Sequence, residues 1–209
     1  MLIAFANSKG GVGKTTISVH YAVAQAEKGR KIALIDSDAQ GSSTRWLRDI
    51  EDAITIIPLK TADDVIDQMP KIVSQFDIVV ADGPAGLSEV TRALLLVTDL
   101  ALLPCGPSAL DLRAAQDAIR VVQQAQMIRK GPPKTFLLPN KVQTNYQPQP
   151  ELLVERTEVS PCSFEMEDKS NTFVIVSCAI RCRPLPFIRP CLIIPGPCAA
   201  LAAMLSYKM

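Results

Sequence analysis

Lys9-Gly10-Gly11-Val12-Gly13-Lys14-Thr15-Thr16 decides how this chain reads. The stretch follows a short apolar run over residues 2–6 and opens a helical pattern over 15–28. A glycine-rich turn between a strand and a helix is the setting of a phosphate-binding loop. Glycines let the backbone curl until successive N–H groups point at phosphate oxygens. The helix N-terminus adds partial positive charge at the same place. Lys14 can neutralise β and γ phosphates, and Thr15 can offer its hydroxyl to Mg2+. Gly10, Gly11, Val12, Gly13 and Thr16 complete the expected cradle. A plain glycine turn would need neither that lysine nor that threonine.

Outward from the loop, apolar runs alternate with helical patterns. Strand-like runs fall at 31–35, 53–57, 77–81, 99–103 and 135–138. Helical patterns fall at 42–50, 62–75, 87–97 and 109–129, with Pro70 expected to break the second and Pro104 to close the strand before it. Gly29 closes the first helix, as a glycine commonly does. This alternation implies a parallel sheet covered by helices on both faces.

The loop carries a second lysine, Lys9, and so resembles the deviant Walker A motif of the ParA/MinD family of ATPases. The segment Ile32-Ala33-Leu34-Ile35-Asp36-Ser37-Asp38-Ala39-Gln40-Gly41-Ser42 is similar to that family's second motif, with Ala39 where proline is usual. Phe76-Asp77-Ile78-Val79-Val80-Ala81-Asp82-Gly83-Pro84-Ala85-Gly86 resembles its Walker B strand. Pro107-Ser108-Ala109-Leu110-Asp111-Leu112 and Pro139-Asn140-Lys141-Val142 are also similar to ParA-type segments. The resemblance covers about residues 1–147. It implies an α/β fold, the P-loop NTPase three-layer sandwich with a mainly parallel sheet. It also implies ATP and Mg2+ as ligands and hydrolysis of ATP to ADP and phosphate.

The resemblance further assigns roles. Lys9 would reach across an ATP-dependent homodimer to the partner subunit's phosphates. Asp38 would orient or activate the attacking water, Asp36 would support the Mg2+ shell, and Asn140 would contact adenine. Loop capping is the alternative for Asp36 and Asp38, and a local turn after Pro139 is the alternative for Asn140. Asp82 ends a strand at the edge where open α/β sheets meet their ligands, and would hold Mg2+ through water. The catalytic set expected is thus Lys9, Lys14 and Asp38, with Thr15, Asp36 and Asp82 toward the metal.

The chain has 209 residues, 48% apolar and 21% charged, with 22 basic and 21 acidic side chains and a net charge of +1. That balance excludes disordered, collagen-like and coiled-coil classes. It does not advertise a nucleic-acid binder, although a local basic face remains open. Aromatics, at 5%, are too sparse for a single-strand stacking platform. Lys9 interrupts the N-terminal apolar stretch too early for a secretory signal. No apolar run reaches the roughly 20 residues of a membrane span. A cytoplasmic, nucleoid-associated protein is expected.

Other conspicuous residues read more plainly. His20 and Trp46 read as packing residues. Arg129, Lys130 and Lys134 form a solvated loop or a phosphate-contact patch. Five of the six cysteines and eight of the sixteen prolines lie beyond residue 147, and no acidic residue follows Asp168. Cys178, Cys182, Cys191 and Cys198 have spacings that fit no standard zinc knuckle. Residues 1–209 therefore read as one domain with a recognisable core at 1–147 and an atypical segment at 148–209. Residues 172–180 read there as a strand and 199–205 as two helical turns. A shifted reading frame and a genuinely divergent segment both account for the change.

The functional expectation is a ParA-type positioning ATPase. Its ATP-bound dimer would hold DNA non-specifically, and a ParB-like or other adaptor would stimulate hydrolysis to release it. The cargo would be a plasmid, a chromosome region or a carboxysome. The loop lies too near the start for a preceding helix-turn-helix, which suits the short form of the family. Two alternatives are a MinD-like membrane-cycling ATPase and a P-loop metabolic enzyme or reductase. The first needs an amphipathic basic helix that residues 199–209 supply poorly, so membrane is not the expected track. The reductase needs paired cysteines for a cluster, and Cys105 stands alone in the core.

Overall fold

A computed structural model describes residues 1–48, 53–141 and 173–175. The strands are β1 (Leu2–Phe5), β2 (Ile32–Asp36), β3 (Ile54–Pro58), β4 (Ile78–Asp82), β5 (Leu100–Cys105), β6 (Lys134–Pro139) and β7 (Phe173–Ile175). The helices are α1 (Lys14–Ala26), α2 (Ser42–Arg48), α3 (Ala62–Val73), α4 (Glu89–Val97) and α5 (Ala109–Arg129). The strands form one sheet in the order β3-β2-β4-β1-β5-β6-β7, and every pairing is parallel.

Strands β1, β2 and β4 are buried at every residue, which explains their unbroken apolar runs. Side chains alternate between the faces. Ile3, Phe5, Ile32, Leu34, Ile78 and Val80 pack against α1 and α2 through Ile17, Val23 and Leu47. Leu2, Ala4, Ile35, Val79 and Ala81 pack the opposite way, against Val65, Met69 and Ile72 of α3 and Leu94 of α4. Val121, Val122 and Ala125 of α5 extend that second layer over Ala101 and Leu103. Each large side chain so buried stabilises the fold by about 1.5–3 kcal/mol. The three-layer α/β sandwich expected from the sequence is therefore present.

Two proline expectations need correction. Pro70 lies inside α3 and does not break it. Pro70 and Ile66, four residues earlier, are both on the exposed face, where water can take up the carbonyl that a proline leaves unpaired. Pro104 does not close β5, which runs on to Cys105. The last register pair with β1 is Phe5 with Leu102, so β1 asks for no N–H at Pro104. The Pro104 carbonyl instead accepts the Asn7 amide at 2.6 Å.

β1 lies between β4 and β5, so the chain winds away from it on both sides. Such a reversal opens a crevice at the carboxyl ends of the strands. The glycine loop, Asp36 and Asp82 all stand at that edge. Asp49, Ile50, Val142, the cysteines beyond 147, the turns expected at 199–205 and the rest of 148–209 outside β7 lie outside the described residues. Within that segment the strand expected over 172–180 is represented by Phe173–Ile175, in register with Thr135, Phe136 and Leu137 of β6.

Candidate nucleotide-binding site

The helices differ at their N-termini. Thr61, Ser88 and Ser108 cap α3, α4 and α5 with their hydroxyls. Gly13 begins α1, and no side chain caps it. Its first-turn amides are left for an anion. Gly13 adopts φ +99, and a Cβ there would lie 2.3 Å from the Asn140 amide nitrogen. Only glycine satisfies both the backbone and the space.

The loop is held from three sides. Below, Asn7 is fully buried, and its Oδ1 accepts the Lys9 N–H at 3.0 Å while its amide reaches Pro104. From just beyond β6, the Asn140 amide donates to the Val12 carbonyl at 2.8 Å and Lys141 Nζ donates to the Gly11 carbonyl at 2.7 Å. The Asn140 Oδ1 meanwhile accepts the Lys141 N–H at 2.9 Å. From α5, Asp111 takes Lys9 Nζ at 2.6 Å. Asp111 also closes a capping box with Ser108. The Lys9 and Ser108 hydrogen bonds hold its carboxyl below the usual range.

Lys14 is buried, and its Nζ donates to the Lys9 carbonyl at 3.0 Å and toward that of Asn7 at 3.4 Å. Burial lowers its pKa, against the raising pull of the Asp82 and Asp38 charges. Both carboxylates thus lie within electrostatic reach of the lysine.

Asp36 and Asp82 are register partners at the ends of β2 and β4, and both are fully buried. Their surroundings differ. Asp36 Oδ1 takes Lys60 Nζ at 2.8 Å, and Oδ2 takes the Thr44 N–H at 3.0 Å together with the Thr44 hydroxyl. Burial would raise its pKa, but the Lys60 and Thr44 bonds outweigh burial and hold it low. Both Asp82 oxygens are buried without a hydrogen bond. Burial pushes its pKa up to about 6, against the neighbouring hydroxyls of Thr15, Ser43 and Ser18. An orphaned buried carboxylate beside a threonine hydroxyl fits a divalent cation. Mg2+ commonly takes one or two protein groups and completes its shell with phosphate oxygens and water. Among the described residues no three His, Cys, Asp or Glu side chains group into a separate metal site.

Asp38 sits one turn outside. Its N–H donates to Asp36 Oδ1 at 3.2 Å, and its own Oδ1 accepts the Gln40 N–H at 2.9 Å. Lys9, Lys14, Asp36, Asp38, Asp82 and Asn140 therefore converge on one strand edge. Sequence reasoning assigned no role to Asn7, Thr44, Lys60, Asp111 or Lys141. Only Asp111 carried a local signal, the Ser-x-x-Asp spacing of a capping box.

The basic cluster is not one loop: Arg129 ends α5 and Lys134 begins β6, with Lys130 between them. The rings of His20 and Trp46 pack edge-on, with centroids 5.3 Å apart. Arg129 donates to the Thr98 carbonyl. Cys105 is buried, with its thiol pushed up to about 11. Among the described residues no helix is long and apolar enough to cross a membrane.

The sequence matches the CobQ/CobB/MinD/ParA nucleotide binding domain over residues 3–159, which runs past residue 147. It is 35% identical to the "Maintenance of carboxysome distribution protein A" of Halothiobacillus neapolitanus, across 63% of this chain and 61% of that one. It is 33% identical to the "Chromosome-partitioning ATPase Soj" of Thermus thermophilus, across 59% and 55%. The chain thus spans about 60% of the length of these relatives. The fold superposes on cobyrinic acid a,c-diamide synthase of Mycobacterium smegmatis, solved with bound ADP and magnesium. That TM-score is 0.56, at 26% identity over 66% of this chain and 73% of the synthase.

Proposed function

The chain belongs to the CobQ/CobB/MinD/ParA family of nucleotide-binding domains, and from that premise we propose that it is a ParA-type ATPase. ATP and Mg2+ join two copies into a dimer, the dimer binds DNA without sequence preference, and an adaptor protein stimulates hydrolysis to release it. The observation that carries this reading is two lysines, Lys9 and Lys14, on one glycine loop beside the unpartnered, buried Asp82.

Lys14 turns from the loop carbonyls to the β and γ phosphates. Thr15 and Asp82 would hold Mg2+, with Asp36 behind them, and the ion would supply charge neutralisation at the phosphate oxygens. Asp38 orients water toward the γ-phosphorus. The new P–O bond replaces the bond to ADP, which leaves with its electron pair, and the water's proton passes to the products. Lys9 exchanges Asp111 for the partner subunit's phosphates. Asn140 stands where β6 meets the loop and contacts adenine from there.

The cargo is a carboxysome, a chromosome region or a plasmid; the names of the two relatives above support the first two. The protein works on the nucleoid, in the cytoplasm. Residues 1–209 form one domain, and the parallel strand β7 supports including the atypical segment. In a digest of the natural protein, peptides matching 157–169 would sink the shifted-frame reading.

The test uses the full chain with ATP·Mg2+ and with ADP. ATP turnover, an ATP-dependent dimer by light scattering, and duplex binding that weakens with salt are the expected results. Asp38→Ala is expected to trap the ATP-bound dimer. Turnover without DNA binding would move the track to a membrane or protein surface. Absence of turnover and dimer together would sink the reading.

A further inference from the structure

Lys60 has no part in the scheme above, yet it touches the segment that carries Asp38 at two points. Its Nζ donates to Asp36 Oδ1 at 2.8 Å and to the main-chain carbonyl of Asp38. One ammonium thus ties the end of β2 to the turn two residues beyond it. Among the described residues, it is also the cation paired with the fully buried Asp36.

The backbone delivers Lys60 firmly. β3 is in register with β2 as far as Pro58 opposite Asp36. The next residue, Leu59, is 1% exposed, and its N–H donates to the Asp36 carbonyl at 3.2 Å. The residue after Lys60 is Thr61, which caps α3 with its hydroxyl. Lys60 is therefore anchored on both sides, and its ammonium reaches the site from a fixed origin.

The Asp38 segment, by contrast, is held mainly by single bonds. Ser37 N–H donates to the Asp82 carbonyl at 3.1 Å, and Asp38 N–H makes a long bond of 3.2 Å to Asp36. The Asp38 carbonyl receives two donors, Gly41 N–H at 3.0 Å and Lys60. Without Lys60, the Asp36 carboxylate loses its counter-charge and the Asp38 peptide loses its strongest donor, because a charged donor outweighs a neutral one. The Asp38 carboxylate is held by the Gln40 N–H of the same turn, at 2.9 Å, so loosening that turn loosens the carboxylate.

We propose that Lys60 is a positioning residue for ATP hydrolysis: by bridging the Asp36 carboxylate and the Asp38 carbonyl, it aims the Asp38 carboxylate at the attacking water. The inference rests on the ATPase reading above. Among the described residues Lys60 makes no hydrogen bond to the loop that binds phosphate, so its main effect is expected on the chemical step.

The experiment compares the full-length wild type, Lys60→Met, Lys60→Arg and Asp38→Ala. Lys60→Met is expected to lower kcat by on the order of tenfold to a hundredfold, the scale of a small misplacement of a reacting group, while KM for ATP stays within about twofold. Lys60→Arg should recover most of kcat, since a guanidinium can span both acceptors. Hydrogen exchange in the nucleotide-free protein gives a readout without turnover. The Gln40 and Gly41 amides, which bond to Asp38, should exchange roughly tenfold faster in Lys60→Met once that turn loosens, with β2 and β4 unchanged. Should Lys60→Met unfold over its buried carboxylate, Asp36→Asn combined with Lys60→Met removes charge and counter-charge together. Fast exchange at Gln40 and Gly41 is still expected there. Unchanged kcat and unchanged exchange in Lys60→Met, or wild-type protection in the double variant, overturns the inference. If Asp38→Ala hydrolyses ATP like the wild type, the reading of Asp38 fails, and with it the catalytic sense of Lys60. If Asp38→Ala is slow and Lys60→Met is not, only the inference about Lys60 falls.

Discussion

The ends of β2 and β4 carry the same residue, in register and fully buried, with opposite surroundings. Asp36 is enclosed by Lys60 and Thr44 and stays ionised. Asp82 has no hydrogen bond to either oxygen, and its pKa is raised to about 6. The difference separates a carboxylate tied by an ion pair and two Thr44 donors from one with only the nearby Thr15, Ser43 and Ser18 hydroxyls, which do not offset its burial. Burial alone does not identify a ligand-binding acid; burial without partners does.

The sharpest way to break that contrast is one substitution made twice. Asp82→Asn should lower ATP turnover by at least about a hundredfold, because it removes the carboxylate proposed to hold Mg2+. It should also raise the stability of the nucleotide-free protein at pH 7 by about 1–3 kcal/mol, since an ionised, desolvated group disappears. Asp36→Asn should lower stability by about 1–3 kcal/mol, because it breaks charge-assisted hydrogen bonds. Denaturant melts of both variants read the two signs. Equal signs would erase the distinction.

A pH series sharpens it further. The Asp82 pKa is raised from 3.8 to about 6, so between those values the unfolded chain has released a proton that the folded chain keeps. Stability should therefore fall as pH rises through that window, by up to about 3 kcal/mol. Asp36, held low, contributes stability that is present above 3.8 and is lost on further acidification. Thermal melts of Asp82→Asn should be flatter between about pH 4 and pH 6 than those of the wild type. The smallest expected effect lies across the loop: Lys141→Met should weaken ATP binding by roughly threefold, the scale of one exposed charged contact, measurable by calorimetry.

Much of this was legible in the sequence. The β1, β2 and β4 runs are buried on both faces, so composition and length alone mark them as central parallel strands. The loop announces itself because its glycines and Lys14-Thr15 are contiguous. Asp82 could be found because it ends an apolar run. Lys60 could not, because its partner is 24 residues away and the pairing depends on the register of β3 against β2, which no local pattern encodes. The Lys9–Asp111 contact, 102 residues apart, is hidden for the same reason. Pro70 misled because helix-breaking rules assume a buried or central position, and this proline faces water near the end of α3.

The two bonds from just beyond β6 to the glycine loop have a directional consequence. A peptide unit is planar, and its C=O and N–H point opposite ways. Asn140 and Lys141 draw the carbonyls of Val12 and Gly11 toward themselves. The N–H groups of Gly13 and Val12, which share those two peptide planes, are thereby turned away from β6. The polarity of the loop is set from behind, by residues 128 and 130 positions downstream that need never touch a phosphate. The strand end at β6 acts as the template against which the loop's row of dipoles is aligned.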